Sequence, residues 1–109
     1  MGLAASQSRY ISLFARKSDL ELTAQQITQS RMQLANVTND LFNVMTRLDP
    51  NTSDAIKLQQ RINAVQQLDQ SLELQLRRVD TQQQTIAAEL ESIKKIIDKN
   101  IELVFKTFA

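Results

Sequence analysis

The sequence predicts an all-α fold in which two long antiparallel helices form a coiled-coil-like hairpin that then oligomerises. Gly2 is the only glycine and Pro50 the only proline, so the 109 residues contain almost nothing that breaks a helix or forms a tight turn. Apolar residues recur every seven positions in both halves of the chain. The single proline lies in a short polar segment between these halves. We therefore expect one helical hairpin that spans residues 1–109.

Helix 1 is predicted over about residues 4–48. Its seam is a column of apolar residues at seven-residue spacing: Leu13, Leu20, Ile27, Leu34, Leu41 and Leu48. Other apolar residues, at spacings of three and four, are expected to widen this seam: Tyr10, Ala24, Val37, Val44 and Met45.

The turn is predicted over about residues 49–53, and the residues expected to form it are Asp49, Pro50, Asn51 and Ser53. Asp49 followed by Pro50 suits a helix N-cap with proline at the first helical position. Thr52 or Ser53 is the alternative cap, with Asp54 in the first turn of the helix. Because the connection is so short in either case, the chain is expected to turn back on itself.

Helix 2 is predicted over about residues 54–107 and carries a more regular pattern. One column consists of Leu58, Val65, Leu72, Val79, Ile86, Ile93 and Asn100. The other consists of Ile62, Asp69, Leu76, Gln83, Leu90, Ile97 and Val104. The residues predicted to pack and to drive self-assembly are the apolar members of these two columns, Ile101, Phe105 and Phe108, and the helix 1 residues Leu13, Leu20, Ile27, Leu34 and Leu41.

Three polar residues interrupt the columns of helix 2, namely Asp69, Gln83 and Asn100. One interpretation is that they are solvated where the facing helix leaves a gap. The other is that they fix register or oligomeric state at a cost in stability. A buried Asp69 would need a partner such as an arginine.

Apolar residues also occur away from the seam: Leu22, Phe42, Leu68, Leu74, Ile96, Ile101 and Leu103. A hairpin on its own leaves such residues in water, and exposed apolar surface of this kind usually marks an interface with a partner. The monomer is therefore expected to be a subunit. Pairing of helix 2 with a second copy, as a parallel coiled coil, is an alternative to pairing with helix 1.

The two ends of the chain carry distinct patterns. The closing segment is the most apolar, and Phe105 and Phe108 are expected to be covered either by neighbouring subunits or by the start of helix 1. The opening MGLAAS matches the pattern for myristoylation of Gly2, although the same residues suit the simple start of a helix. An amphipathic segment on a membrane surface is a weaker alternative, because only three basic residues accompany it.

Composition excludes several classes of function. The chain has no histidine and no cysteine, so disulfides, Cys/His zinc sites and imidazole or thiol catalysis are ruled out. With no phosphate-binding loop either, we predict no enzyme, no catalytic residues, no metal and no cofactor. The charges are nearly balanced, at +1 overall, which argues against binding of nucleic acid. No apolar run is long enough to cross a bilayer, and a cleaved signal peptide is not expected.

Three segments of the chain resemble parts of known proteins. The turn together with the start of helix 2, DPNTSDAIKLQQRIN, and the closing IKKIIDKNIELVFKTF resemble the needle-forming subunits of type III secretion systems. The segment LTAQQITQSRMQLANVTND is similar to the N-terminal part of flagellar rod and hook proteins. The needle resemblance covers about half of the chain and implies an axial filament, exported without a cleaved signal to the cell envelope or beyond it. A cytoplasmic location is the alternative.

These observations lead to one expected function with two rivals. We expect a self-assembling subunit of a helical filament or tube, whose partners are copies of itself and other proteins of a secretion apparatus. The first rival is a coiled-coil adaptor or secretion chaperone that binds a partner helix. The second is a closed helical bundle that acts as a scaffold.

Overall fold

The computed structural model describes residues 2–108, and these form an all-α helical hairpin, as the sequence predicts. Helix α1 runs from Leu3 to Met45 and helix α2 from Ser53 to Phe108. Neither helix contains a glycine or a proline, so nothing in their interiors disrupts the backbone hydrogen bonds.

Ion pairs between residues four apart support both helices along their exposed surfaces. Arg77 Nη2 lies 2.7 Å from a Glu73 carboxylate oxygen, and Lys95 Nζ lies 3.9 Å from Glu91. In both pairs the two residues are four positions apart, the spacing at which side chains are neighbours on the surface of a helix. Each such pair contributes a few tenths of a kcal/mol, so packing and not surface charge must stabilise the hairpin.

Helix α1 ends at Met45, three residues before its predicted end. The backbone tightens there, because Arg47 N–H donates to the Val44 carbonyl at 3.0 Å and Leu48 N–H to the Met45 carbonyl at 3.2 Å. These bonds span three residues instead of four, as is common where a helix ends. Proline at position 50 also disfavours helical backbone at Asp49, so the helix has no way to continue. Leu48 remains half-buried although it lies outside the helix.

The connection is a hydrogen-bonded turn from Asp49 to Thr52. Thr52 N–H donates to the Asp49 carbonyl at 3.1 Å, and Asn51 N–H donates to the Asp49 carboxylate at 3.1 Å. Pro50 thus occupies the second position of a β-turn, where its fixed φ is favourable. The Thr52 hydroxyl accepts the N–H of Ala55 at 3.2 Å, which makes Thr52 the N-cap of α2. Of the caps that the sequence offers, Thr52 is therefore used, and Asp49 stabilises the turn instead.

The described residues divide into two compact units, each containing one segment of α1 and one of α2. Unit 1 comprises residues 2–23 and 79–108, and unit 2 comprises residues 24–78. Each unit has its own apolar contacts between its two helical segments.

Candidate functional site

The seam of unit 1 is built around Leu13. This side chain is buried and forms one apolar cluster with Ile86, Leu90 and Ile93, against which three half-buried residues pack: Tyr10, Leu20 and Ile97. All seven of these residues lie in the apolar columns or beside them, where the sequence places the seam. Val79, another column residue of this unit, is buried as well.

The seam of unit 2 follows the same spacing. Its buried apolar residues are Ile27, Ala55, Leu58 and Ile62, of which Ile62 has no exposed surface at all. The half-buried apolar residues of the predicted columns are Leu34, Leu41, Leu48, Val65, Leu72 and Leu76. The prediction for the flank of helix 1 is only partly right, because Val37 and Val44 are exposed. Continuing the spacing from Tyr10 gives position 38 in place of 37, so the threonine at 38 lies in the seam and the two valines point away from it.

An ion pair joins the two helices within unit 2. Arg31 Nε donates to Asp69 Oδ1 at 2.9 Å, and Arg31 Nη2 donates to Asp69 Oδ2 at 3.3 Å. Both residues are half-buried column positions. The hydrogen bonds from Arg31 hold the pKa of Asp69 below its usual value, against the opposing effect of burial, and those bonds raise the pKa of Arg31. A planar guanidinium paired with both carboxylate oxygens fixes the orientation of the two side chains.

The other two candidates for setting register, Gln83 and Asn100, occupy half-buried column positions of α2 in unit 1. A role for them in register therefore stays a prediction.

The apolar pattern of the sequence does not single out Ser6, which is fully buried in unit 1. Its hydroxyl oxygen has no hydrogen-bond partner among the described residues. Ser6 lies seven residues before Leu13, so extending that column would have identified the position.

The two sides of the unit 1 seam differ in chemistry. On one side lies a groove of about 450 Å³ whose charged lining residues are Arg16, Asp19 and Glu89, and Arg9 Nη2 lies 3.7 Å from a Glu89 oxygen. On the other side lies a groove of about 400 Å³ lined by Gln7, Tyr10, Ile11, Lys94 and Ile97. We call the second groove the apolar groove, because three of its five residues are apolar or aromatic.

Phe14 lies beside the apolar groove and contacts its lining residue Tyr10. Its ring stacks on that of Tyr10, with the centroids 6.4 Å apart and the planes inclined by 19°. Phe14 is also three residues beyond Ile11, so the two side chains share a face of α1. Both remain in contact with water, at 53% exposure for Phe14 and 69% for Ile11.

The last eight described residues of α2, 101–108, form an exposed helical segment that we call the tail. Val104, predicted to lie in the seam, is exposed instead, as are Ile101, Phe105 and Phe108. The sequence predicts that Phe105 and Phe108 pack against either neighbouring subunits or the start of helix 1. Packing against helix 1 is wrong, because the two side chains are 72% and 86% exposed. These four apolar side chains follow Ile97 at spacings of three and four, so they continue one stripe along α2.

The off-seam apolar residues are also exposed, as predicted: Leu22, Phe42, Leu68, Leu74, Ile96, Ile101 and Leu103. Within residues 2–108, acidic side chains do not gather in any group of three or more that would hold a metal ion. No helix among these residues has the length and apolar character needed to span a membrane.

Unit 1 thus presents two exposed apolar features, which together we call the uncovered apolar surface of unit 1. They are the apolar groove and the tail, and each is suited to burying the apolar side of another helix. Comparison of the chain with protein-family models, with curated proteins and with solved structures gave no match.

Proposed function

We propose that the chain is a structural subunit that assembles with copies of itself into a helical filament or tube. The observation that carries this proposal is the uncovered apolar surface of unit 1, and above all the two phenylalanines of the tail. Burial of one such side chain contributes about 2 kcal/mol or more, so association is favourable as soon as a complementary surface is available. The resemblance to axial subunits of type III export supports a filament as the product.

Assembly is proposed to occur through the tail, with the polar faces of the helices left in solvent. Glu102 and Lys106, which pair with each other at 3.4 Å, lie on the side of the tail away from the apolar stripe. The tail is therefore amphipathic, and Leu103 is its only exposed apolar residue outside the stripe. A catalytic function is not proposed, because the chain lacks the imidazole and thiol groups on which most nucleophilic catalysis depends. The proposed location is the cell envelope or the outside of the cell, in company with other secretion proteins.

Negative-stain electron microscopy and sedimentation velocity of the concentrated protein test the proposal. The natural chain is expected to form filaments of uniform width, while Phe105→Asp and Phe108→Asp remain monomeric with unchanged helical circular dichroism. Each substitution places a carboxylate in the part of the stripe that is buried on assembly, and burying an unpaired carboxylate is strongly unfavourable. Thr107→Asp is the matched control, because it adds the same charge to the tail outside the stripe, and it is expected to assemble.

Two results would count against the proposal. A natural chain that gives only small discrete particles would exclude filaments and favour a closed bundle. A natural chain that stays monomeric until a foreign helical protein is added would favour the adaptor or chaperone.

A further inference from the structure

We propose that the tail of one copy docks in the apolar groove of the next copy, so that subunits join head to tail. This inference rests on the proposed function and deepens it, because it names the two surfaces that meet. The tail supplies an apolar stripe on one side of a helix, formed by Ile101, Val104, Phe105 and Phe108. Such a stripe, with anchors at spacings of three, four and seven, is how an amphipathic helix binds in a groove.

The tail cannot fill the groove of its own chain. Ile97 lines the groove, and α2 continues without interruption from there to Phe108. At about 1.5 Å of rise per residue, Phe108 lies roughly 16 Å beyond Ile97 along the helix axis. Returning the tail to the groove would require α2 to break, and neither glycine nor proline is present there to allow it. A tail that docks in the groove therefore belongs to another copy of the chain.

The apolar area is sufficient for one specific contact. A fully exposed phenylalanine presents roughly 200 Å², so Phe105 and Phe108 leave roughly 300 Å² of tail uncovered. If the exposed parts of Ile101 and Val104 on the tail, and of Ile11 and Phe14 at the groove, are buried completely as well, the apolar area of one contact is at most roughly 700 Å². Since interfaces are a little more than half apolar, the whole contact would bury at most roughly 1,200 Å², near the lower limit of specific interfaces.

The two surfaces are different parts of the same chain, and this decides the kind of assembly. When two copies join through unlike surfaces, the pair still has one free groove at one end and one free tail at the other, so further copies can bind. Repetition of the contact builds an open chain of subunits. Each internal copy makes the contact twice, once through its tail and once through its groove.

Two variants of the full chain test whether the tail and the groove are partners. The first, Phe105→Asp with Phe108→Asp, blocks the tail and keeps the groove. The second, Ile11→Asp, blocks the groove and keeps the tail, and it spares the seam because Ile11 is an exposed side chain. Each variant alone is expected to sediment as a monomer. Their equimolar mixture is expected to shift to the sedimentation coefficient of a dimer, because one intact tail and one intact groove remain.

Leu22→Asp is the control for the groove variant, since Leu22 is another exposed apolar residue of α1 in the same unit. This variant is expected to form filaments like the natural chain. Thermal unfolding followed by circular dichroism establishes that all the variants fold, so that a monomer is not mistaken for an unfolded chain.

The outcomes separate this inference from the proposed function. If the natural chain forms filaments and the tail variant does not, but the mixture stays monomeric, the proposed function stands and the docking of tail in groove is refuted. Assembly of Ile11→Asp alone would refute the docking in the same way. If the natural chain forms no filaments at all, the proposed function fails first. A natural chain that stops at closed dimers would refute the head-to-tail contact.

Discussion

Replacing Ile62 by alanine tests how much of the stability of unit 2 comes from its seam. The Ile62 side chain has 0% exposure and lies in a column of α2 that faces α1. The substitution removes three carbon atoms, which at about 0.8 kcal/mol each amounts to about 2.4 kcal/mol of lost burial. A partly unfilled cavity of roughly 50 Å³ adds about 1 kcal/mol. We therefore expect the free energy of unfolding to fall by about 3.5 kcal/mol.

Ile56→Ala is the matched control, because Ile56 lies in the same helix and is 56% exposed. Its loss of burial is smaller and is offset in part by the higher helix propensity of alanine, so the expected cost is below about 1 kcal/mol. Urea unfolding followed by circular dichroism measures both, at low protein concentration so that association does not add to the stability. Equal costs for the two variants would show that Ile62 does not lie in the seam, and the column assignment of α2 would be wrong.

Two further predictions concern polar groups. Ser6→Ala is expected to raise the free energy of unfolding by about 1 kcal/mol, because it removes a buried hydroxyl that has no hydrogen bond. The control, Ser18→Ala at an exposed position, should change the free energy of unfolding by less. If Ser6→Ala instead destabilises the protein, the Ser6 hydroxyl makes a hydrogen bond and the prediction is wrong. Asp69 has a lowered pKa in the folded chain, so the stability it contributes is present above its unfolded pKa of about 3.9 and is lost as the pH falls through the folded value. Unfolding in urea from neutral pH down to strong acid should therefore show the natural chain losing its advantage over Asp69→Asn below about pH 4. A constant difference between the two would contradict the pairing with Arg31.

The seven-residue spacing predicts most of the fold because burial is periodic when one helix faces another. The column from Leu13 is buried or half-buried throughout, and the columns of α2 are so until Asn100. The same seven-residue spacing, counted from Tyr10, also places Arg31 in the seam. A search for apolar residues alone assigns Val37 and Val44 to the seam instead, and both are exposed. Periodicity identifies the buried face of a helix even where a polar residue occupies it.

Asp69 at a buried position needs a basic partner, but the sequence does not identify which Lys or Arg residue this is. The choice of Arg31 depends on how the two antiparallel helices are aligned, and spacing within a helix carries no information about that alignment. The turn sets it, because Thr52 caps α2 while the last residues of α1 tighten into shorter hydrogen bonds. The exposure of Phe105 and Phe108 likewise does not follow from the spacing, because both residues continue the apolar stripe of α2 that is buried or half-buried up to Ile97.

The pairing of Arg31 with Asp69 also favours the α1–α2 pair over pairs of identical helices. In a parallel coiled coil of two α2 helices, column residues meet their own copies, so Asp69 would face Asp69. Two α1 helices paired in this way would bring Arg31 against Arg31. Like charges in a seam are unfavourable, whereas the α1–α2 pair brings opposite charges within 2.9 Å. One ion pair thus disfavours both parallel pairings of like helices relative to the α1–α2 pair.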